Sequence, residues 1–105
     1  MGDIPGSVIL NFMGNEYKIR FEHEDEEELD SLLRVLPHFA DFNIERRYYN
    51  YRMPDNLEGM PNAVIQIEAD GLYFCDFLMP QDMLNQVTAI VKRKYGNAHI
   101  EDYES

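Results

Sequence analysis

The chain has one cysteine, Cys75, and no tryptophan. A single cysteine cannot form an intramolecular disulfide, which is typical of proteins that fold in a reducing compartment. The segment Met1–Gly6 has neither the basic residues nor the long apolar run of a signal peptide. No apolar run approaches the ~20 residues that a membrane-spanning helix needs. We therefore expect a cytoplasmic protein with no membrane partner.

Basic residues are also scarce: the chain has 9 Lys and Arg against 20 Asp and Glu, a formal net charge of −11. This charge opposes non-specific binding to nucleic acid, which requires cations that neutralise phosphates, and it opposes binding to anionic membranes. It favours solubility and fast encounter with a basic molecule. The charge predicts a basic protein as the partner and argues against nucleic acid.

Motifs of common catalytic and cofactor sites are missing. The serines, Ser7, Ser31 and Ser105, do not lie in a Gly-x-Ser-x-Gly turn, and there is no Walker loop, Gly-x-Gly-x-x-Gly or Cys-x-x-Cys. Residues 16–55 contain no glycine, so the acidic run within them lacks the glycine that an EF-hand requires. Cys75 lies in a predicted strand among apolar residues, the pattern of a buried structural thiol. We expect no cofactor, no metal and no catalytic activity.

The three histidines offer only weak catalytic or metal-binding patterns. His23 and Glu27 are four residues apart and could share a metal, but two ligands at a helix start are a weak signal. His38 could form an acid–base pair with Asp41, and His38 or His99 could serve a small enzyme together with a carboxylate. No reaction can be named for either residue, so solvated or hydrogen-bonded histidines are the expectation.

Hydrophobic residues make up 45% of the chain, and its 105 residues suit one domain with one core. Apolar residues recur every three or four positions in two segments, which predicts helices over Glu24–Leu36 and from about Gln81 to Tyr95. Alternating or apolar runs between turn residues predict strands. These are Ser7–Phe12, Glu16–Glu22, Phe42–Arg52, Ala63–Glu68 and Leu72–Met79, with Ala98–Tyr103 as a further short edge strand.

Two hairpins connect these strands. Gly14-Asn15 joins the first two, and Asp70-Gly71 joins the last two long ones, because glycine adopts the left-handed geometry of such a turn at no steric cost. The segment Phe42–Arg52 breaks strict alternation at its paired arginines and tyrosines, which a bulge or a long twisted strand would explain. The sequence thus predicts a single α+β domain over residues 1–105, with an antiparallel sheet in ββαβββα order and both helices on one face.

Acidic residues crowd Glu22–Asp30, among them Asp25, Glu26, Glu27 and Asp30. The helix dipole favours acids in a first turn by about 0.3–1 kcal/mol each, while acids three or four positions apart repel by about 0.2–0.5 kcal/mol per pair. These contributions nearly cancel, so helix stability does not explain the cluster. It is either a solvated helix face or a docking surface for a basic protein.

A second unusual segment interleaves arginine with tyrosine: Arg46, Arg47, Tyr48, Tyr49 and Tyr51. Arginine and tyrosine are enriched at protein–protein hot spots. Arginines with aromatic rings also form platforms for single-stranded RNA, which the net charge opposes here. Alternatively, the arginines pair with nearby acids and the tyrosines are half-buried. We take the segment as a second candidate partner-binding surface.

Three functions remain. The one we favour is a non-catalytic protein-binding domain, such as an acidic inhibitor or immunity-type protein that neutralises a basic partner, for example a toxin nuclease. The second is a small-ligand-binding or regulatory domain with a pocket between the sheet and the helices, lined by some of the seven tyrosines. The third is a small histidine enzyme. A homo-oligomer is compatible with all three, because an aromatic edge strand could pair with its copy.

Overall fold

The computed structural model describes residues 14–79 and 82–103. Within them, six strands form one antiparallel sheet and two helices pack against it, which confirms the predicted α+β class. In chain order the elements are β1 (Asn15–Arg20), α1 (Glu26–Arg34), β2 (Phe39–Asn43), β3 (Tyr48–Tyr51), β4 (Ala63–Glu68), β5 (Gly71–Asp76), α2 (Met83–Tyr95) and β6 (His99–Asp102).

The strands lie in the order β2-β3-β4-β5-β1-β6, and every neighbouring pair is antiparallel. β5 lies in the interior of the sheet, as its apolar sequence predicts. Glu68 pairs with Gly71, so β4 and β5 form the predicted hairpin. Gly71 has a φ of 146°, and a Cβ at this position would lie 2.0 Å from the carbonyl oxygen of Ile19 on β1. Glycine is therefore required for β1 and β5 to pair closely here.

One predicted segment is not tested by the structure, and another differs from it. The predicted strand Ser7–Phe12 lies outside the described residues, and both edges of β1 are paired, with β5 and β6. The segment Phe42–Arg52, predicted as one irregular strand, instead folds back on itself as the end of β2, a turn and β3. In this turn the Asn43 side chain accepts a hydrogen bond from the backbone N–H of Arg46 at 3.0 Å. The reversal of the chain explains why the alternation breaks there.

Both helices begin after an aspartate. The Asp25 side chain accepts hydrogen bonds from the backbone N–H groups of Glu27 and Glu28, at 3.0 and 3.2 Å. α2 begins after Asp82 and ends at Gly96, which has a φ of 98°. These caps satisfy backbone groups that have no partner within the helix. Within the described residues, neither helix is long and apolar enough to cross a membrane.

The two helices cover one face of the sheet, as predicted, and the core lies between the two layers. Helices contribute apolar side chains at three- and four-residue spacing, and strands contribute every second side chain. The buried core includes Leu29 and Leu33 of α1, Met83, Val87 and Val91 of α2, and Ile19, Ile65, Leu72 and Phe74 of the strands.

The opposite face of the sheet has a buried cation. Lys18 is 8% exposed, and its Nζ donates hydrogen bonds to Oε1 of Glu68, at 2.5 Å, and to the carboxylate of Asp70. The hydroxyl of Tyr103 donates to the other carboxylate oxygen of Glu68 at 2.7 Å. Burial lowers the pKa of Lys18, but the hydrogen bonds to Asp70 and Glu68 outweigh it, and the net pKa is raised. This network ties β1 to the β4–β5 turn.

Candidate functional site

The acidic residues of α1 have two different roles. Asp25 caps the helix, so its carboxylate is engaged with backbone amides. Glu26 and Glu27 in the first turn are exposed. Among the described residues, Glu26 has one basic neighbour, Arg47 at 3.7 Å, and Glu27 has none within 4 Å. The first turn of α1 therefore presents carboxylates whose charge the described part of the chain compensates only weakly.

Asp30 lies at the contact between α1 and β3. Its carboxylate accepts hydrogen bonds from the Tyr49 hydroxyl at 2.5 Å and from Nε of Arg34 at 3.0 and 3.1 Å. Burial tends to raise the pKa of Asp30, but these hydrogen bonds outweigh it, and the net pKa is lowered. The Arg34 guanidinium also lies 4.9 Å from the centroid of the Phe42 ring, a cation–π distance. Asp30 and Arg34 therefore hold the two elements together.

The tyrosines of β3 alternate between the two faces of the sheet. Tyr49 is 3% exposed and Tyr51 is 0% exposed, both on the helix-covered face. The Tyr51 hydroxyl donates a hydrogen bond to the carbonyl oxygen of Leu33 at 2.7 Å. Burial raises the pKa of both phenols, and the bond to Asp30 raises that of Tyr49 further. Tyr49 and Tyr51 thus position α1 on the sheet, while Tyr48 is half-buried on the other face.

The turn between β2 and β3 presents charged and apolar side chains to solvent. Arg46 and Arg47 are both exposed, and Ile44 is 79% exposed. The backbone carbonyl of Arg46 accepts a hydrogen bond from Nε2 of Gln66 at 2.9 Å, which fastens the turn to β4. Arg47 adopts a left-handed φ of 61°. The hydrogen bond to Gln66 therefore holds the turn in place, and the turn presents the Ile44 side chain to solvent.

A cleft of about 290 Å³ separates α1 from this turn, and we call it the α1–turn cleft. Its lining combines three carboxylates with apolar side chains and one arginine. Asp30 is paired with Arg34 and Glu26 lies 3.7 Å from Arg47, so the cleft keeps a net negative charge, which Glu27 carries, beside its apolar side chains. The lining residues are Glu26, Glu27, Asp30, Phe42, Ile44, Arg47, Tyr49 and Ile67.

The cleft unites the two surfaces that the sequence predicts separately. Phe42, Ile44 and Ile67 also line it, and sequence reasoning missed all three. Ile44 could have been found, because an isoleucine among polar turn residues signals an exposed aliphatic group; the other two look like ordinary strand residues. Of the predicted site residues, Glu26, Glu27, Asp30, Arg47 and Tyr49 line the cleft, whereas Asp25, Arg46, Tyr48 and Tyr51 do not.

A second concave site, which we call the interhelical groove, lies between helix α2 and the segment that follows α1, and it has a volume of about 330 Å³. The ligand-binding alternative requires a pocket in this part of the fold, lined by tyrosines. None of the described residues that line the groove is a tyrosine. The lining residues are Leu36, Pro37, His38, Met83, Gln86, Val87, Ala89, Ile90 and Arg93.

The β3 strand leads from the α1–turn cleft to an exposed loop at the other end of the sheet. There Leu57 is 84% exposed and Leu78 is 80% exposed, and the acids Asp55 and Glu58 line a depression together with Leu78. The Asn62 side chain donates to the carbonyl oxygen of Leu78 at 2.8 Å and accepts from a backbone N–H of the loop at 2.9 Å. This part of the surface, which we call the loop end, combines the acids Asp55 and Glu58 with the exposed Leu57 and Leu78. It therefore serves as a comparison for the α1–turn cleft.

The described residues contain no group of three or more His, Cys, Asp and Glu side chains that could hold a metal. Nε2 of His23 lies 2.7 Å from the carbonyl oxygen of Glu68. His99 lies 2.7 Å from the Glu101 carboxylate on the exposed strand β6. Cys75 is buried, as predicted, and burial raises the pKa of its thiol, which disfavours the reactive thiolate.

Comparisons of the chain with protein-family models, with curated proteins and with solved structures found no significant match. An α+β fold with an antiparallel sheet is compatible with many functions. The chemistry of the described surfaces is therefore the basis for assigning one.

Proposed function

We propose that the protein is a non-catalytic cytoplasmic domain that binds a basic protein in the α1–turn cleft. The observation that carries this proposal is the composition of the cleft, in which the carboxylates of Glu26 and Glu27 adjoin apolar side chains, among them the exposed Ile44. A lysine or arginine side chain has the matching chemistry, because it combines an aliphatic stem with a cationic head. The stem would pack on the apolar side chains and the head would meet the carboxylates.

The arginines near the cleft cancel only part of its charge. Arg34 is bound to Asp30, and the Arg47 side chain is 68% exposed at 3.7 Å from Glu26. An exposed pair of this kind contributes only about 0–1 kcal/mol. A cation of the partner can therefore displace Arg47 from Glu26 at little cost, and Arg47 is then free to pair with an acid of the partner.

An acidic inhibitor is the specific form of this function that we favour. A net charge of −11 accelerates encounter with a basic surface. Nucleases bind phosphates through lysine and arginine, so an acidic protein that covers those side chains would block the enzyme. An immunity-type protein that neutralises a toxin nuclease fits this mechanism.

Affinity capture from a lysate of the native organism tests the proposal. The immobilised wild-type protein is compared with a Glu26→Gln/Glu27→Gln double variant, which keeps the shape of the cleft and removes two charges. We expect a basic protein that the wild type retains at low salt and releases at about 0.5 M NaCl, where charges are screened within a few ångströms. The double variant should retain much less of it.

The matched control is Asp55→Asn/Glu58→Gln at the loop end, which changes the net charge by the same amount. Retention equal to wild type in this control, together with loss in the cleft variant, assigns the binding to the cleft. Equal loss in both variants would mean that only the overall charge matters, and loss in the control alone would place the interface at the loop end. Either result contradicts the proposal.

A further inference from the structure

The floor of the interhelical groove belongs to the hydrophobic core. Leu36 and Met83 are each 6% exposed and Val87 is 2% exposed, yet all three line the groove. The half-buried Ile90 of α2 adds to the apolar lining. A molecule that entered the groove would therefore contact a fixed apolar surface, because core side chains are closely packed and have few alternative rotamers.

The wall of the groove on the α1 side is held by the backbone. Pro37 follows α1, and proline cannot continue a helical ladder. His38 then adopts a left-handed φ of 72°, and its carbonyl oxygen accepts a hydrogen bond from the backbone N–H of Arg52 at 2.9 Å. This bond fixes the backbone at His38, so this part of the lining is held without a ligand.

The charge of the groove is opposite to that of the chain. The sequence has 20 acidic residues, yet none of the described residues that line the groove is acidic. Its one formally charged side chain is Arg93, which has no carboxylate within 4 Å in the described part of the chain. The side chains of Gln86 and His38 can also donate hydrogen bonds.

We propose that the interhelical groove binds an amphiphilic carboxylate of medium length, such as a ten-carbon fatty acid. The tail would lie on Leu36, Met83 and Val87, and the carboxylate would pair with Arg93. The groove volume of about 330 Å³ lies at the lower end of known small-molecule sites, roughly 300–1,000 Å³, which favours a ligand of this medium length.

This proposal is independent of the protein-binding function, because the groove and the α1–turn cleft share no lining residue. Titration of the full chain with sodium decanoate, followed by calorimetry and by NMR of the methyl groups, tests it. We expect saturable binding below the micelle concentration, with shifts at Leu36, Met83 and Val87. Decanol, which has the same tail without the charge, should bind about five- to tenfold more weakly, because it cannot form the charge-assisted bond to Arg93.

Two substitutions separate the head group from the tail. Arg93→Gln should weaken decanoate binding about five- to tenfold and leave decanol binding unchanged. Ala89→Trp, at an exposed position in the lining, should fill the groove and abolish binding of both probes. Lys92→Gln and Lys92→Trp are the controls on the same helix, since Lys92 is exposed and does not line the groove.

Four results would overturn the proposal. The absence of saturable decanoate binding in the wild type would exclude the ligand class. Equal affinity for decanol and decanoate, or an unchanged affinity in Arg93→Gln, would show that the carboxylate is not recognised. Unchanged binding in Ala89→Trp, with the folded state verified by circular dichroism, would place the ligand elsewhere.

Discussion

The hydroxyl of Tyr49 donates a hydrogen bond to Oδ1 of Asp30, 2.5 Å away, and so joins strand β3 to helix α1. These residues belong to the two segments that the sequence marks as unusual, the arginine–tyrosine segment and the acidic run. The same carboxylate is held by Arg34. The contact positions the first turn of α1 against the β2–β3 turn and thereby defines the α1–turn cleft.

Removal of the Tyr49 hydroxyl should destabilise the fold. We expect Tyr49→Phe to lower the free energy of unfolding by about 1–2 kcal/mol, because the Asp30 carboxylate loses a charge-assisted hydrogen bond from the buried Tyr49. Urea unfolding measures the change. Tyr48→Phe, on the opposite face of the sheet, is the control and should change stability by less than about 0.5 kcal/mol. Equal effects of the two substitutions would show that the hydrogen bond does not hold α1.

A second prediction about stability concerns the buried amine of Lys18. Lys18→Met should cost about 1–3 kcal/mol, because Glu68 loses the cation that compensates its charge and Asp70 keeps only Arg20. Addition of Glu68→Gln should recover part of that loss, since it removes an uncompensated carboxylate. Urea unfolding of the single and double variants checks both statements. A double variant less stable than Lys18→Met would mean that the amine and Glu68 do not act as a pair.

Stability should fall in acid. Hydrogen bonds from Arg20 and then His99 lower the pKa of Glu101 to about 2, and the hydrogen bond from Lys18 lowers that of Asp70. The unfolded chain therefore binds protons at a higher pH than the folded chain. The stability from these groups is present above their ordinary pKa values, 4.5 and 3.8, and is lost as the pH falls through the depressed ones.

The measurement is the urea midpoint between pH 5 and pH 2.5, compared for wild type and Asp70→Asn. The wild type should lose more stability over this range than the variant, because the variant has no carboxylate to protonate at position 70. A loss in Asp70→Asn as large as in wild type would show that the bonds to Lys18 and Arg20 do not depress the pKa of Asp70.

Glycine at position 71 should be far more sensitive to substitution than glycine at position 59. Both have positive φ, but a Cβ at Gly71 would meet the Ile19 carbonyl oxygen at 2.0 Å, whereas nothing lies within 4 Å at Gly59. We expect Gly59→Ala to cost about 1–2 kcal/mol for its backbone conformation alone. Gly71→Ala should cost distinctly more, because β1 must also move away from β5. Thermal unfolding compares the two, and similar losses would contradict the close approach of these strands.

Ile44 provides a test of the apolar half of the cleft. Ile44 is 79% exposed, so Ile44→Ser should leave the stability of the free protein within about 0.5 kcal/mol of wild type. It should weaken binding to the captured partner without changing the salt dependence, because no charge is removed. A lowered salt dependence, or unchanged affinity, would show that Ile44 is not part of the interface.

The local elements follow from sequence where the signals are strong. The three- and four-residue apolar spacing predicts α2, and its end at Gly96 is confirmed. The Asp70-Gly71 turn likewise places β4 and β5. The turn at residues 44–47 could not be predicted in this way, because it contains neither glycine nor proline; it depends on the Asn43 side chain and on a left-handed Arg47.

The cleft was less predictable than the elements that form it. Periodicity indicates which face of an element is buried, but it does not indicate which two elements meet. The sequence therefore predicts two separate surfaces, one at the acidic run and one at the arginine–tyrosine segment. The two segments meet in one cleft because Tyr49 bonds to Asp30 and because Ile67 of β4 lies beside them. These three residues are far apart in sequence.

Hydrogen–deuterium exchange of the protein with and without its captured basic partner tests whether the partner binds in the α1–turn cleft. We predict that the partner slows exchange in residues 26–30 of α1 and 44–47 of the β2–β3 turn, and leaves the loop around Leu57 unchanged. Protection confined to that loop, or absent from both segments of the α1–turn cleft, would contradict it.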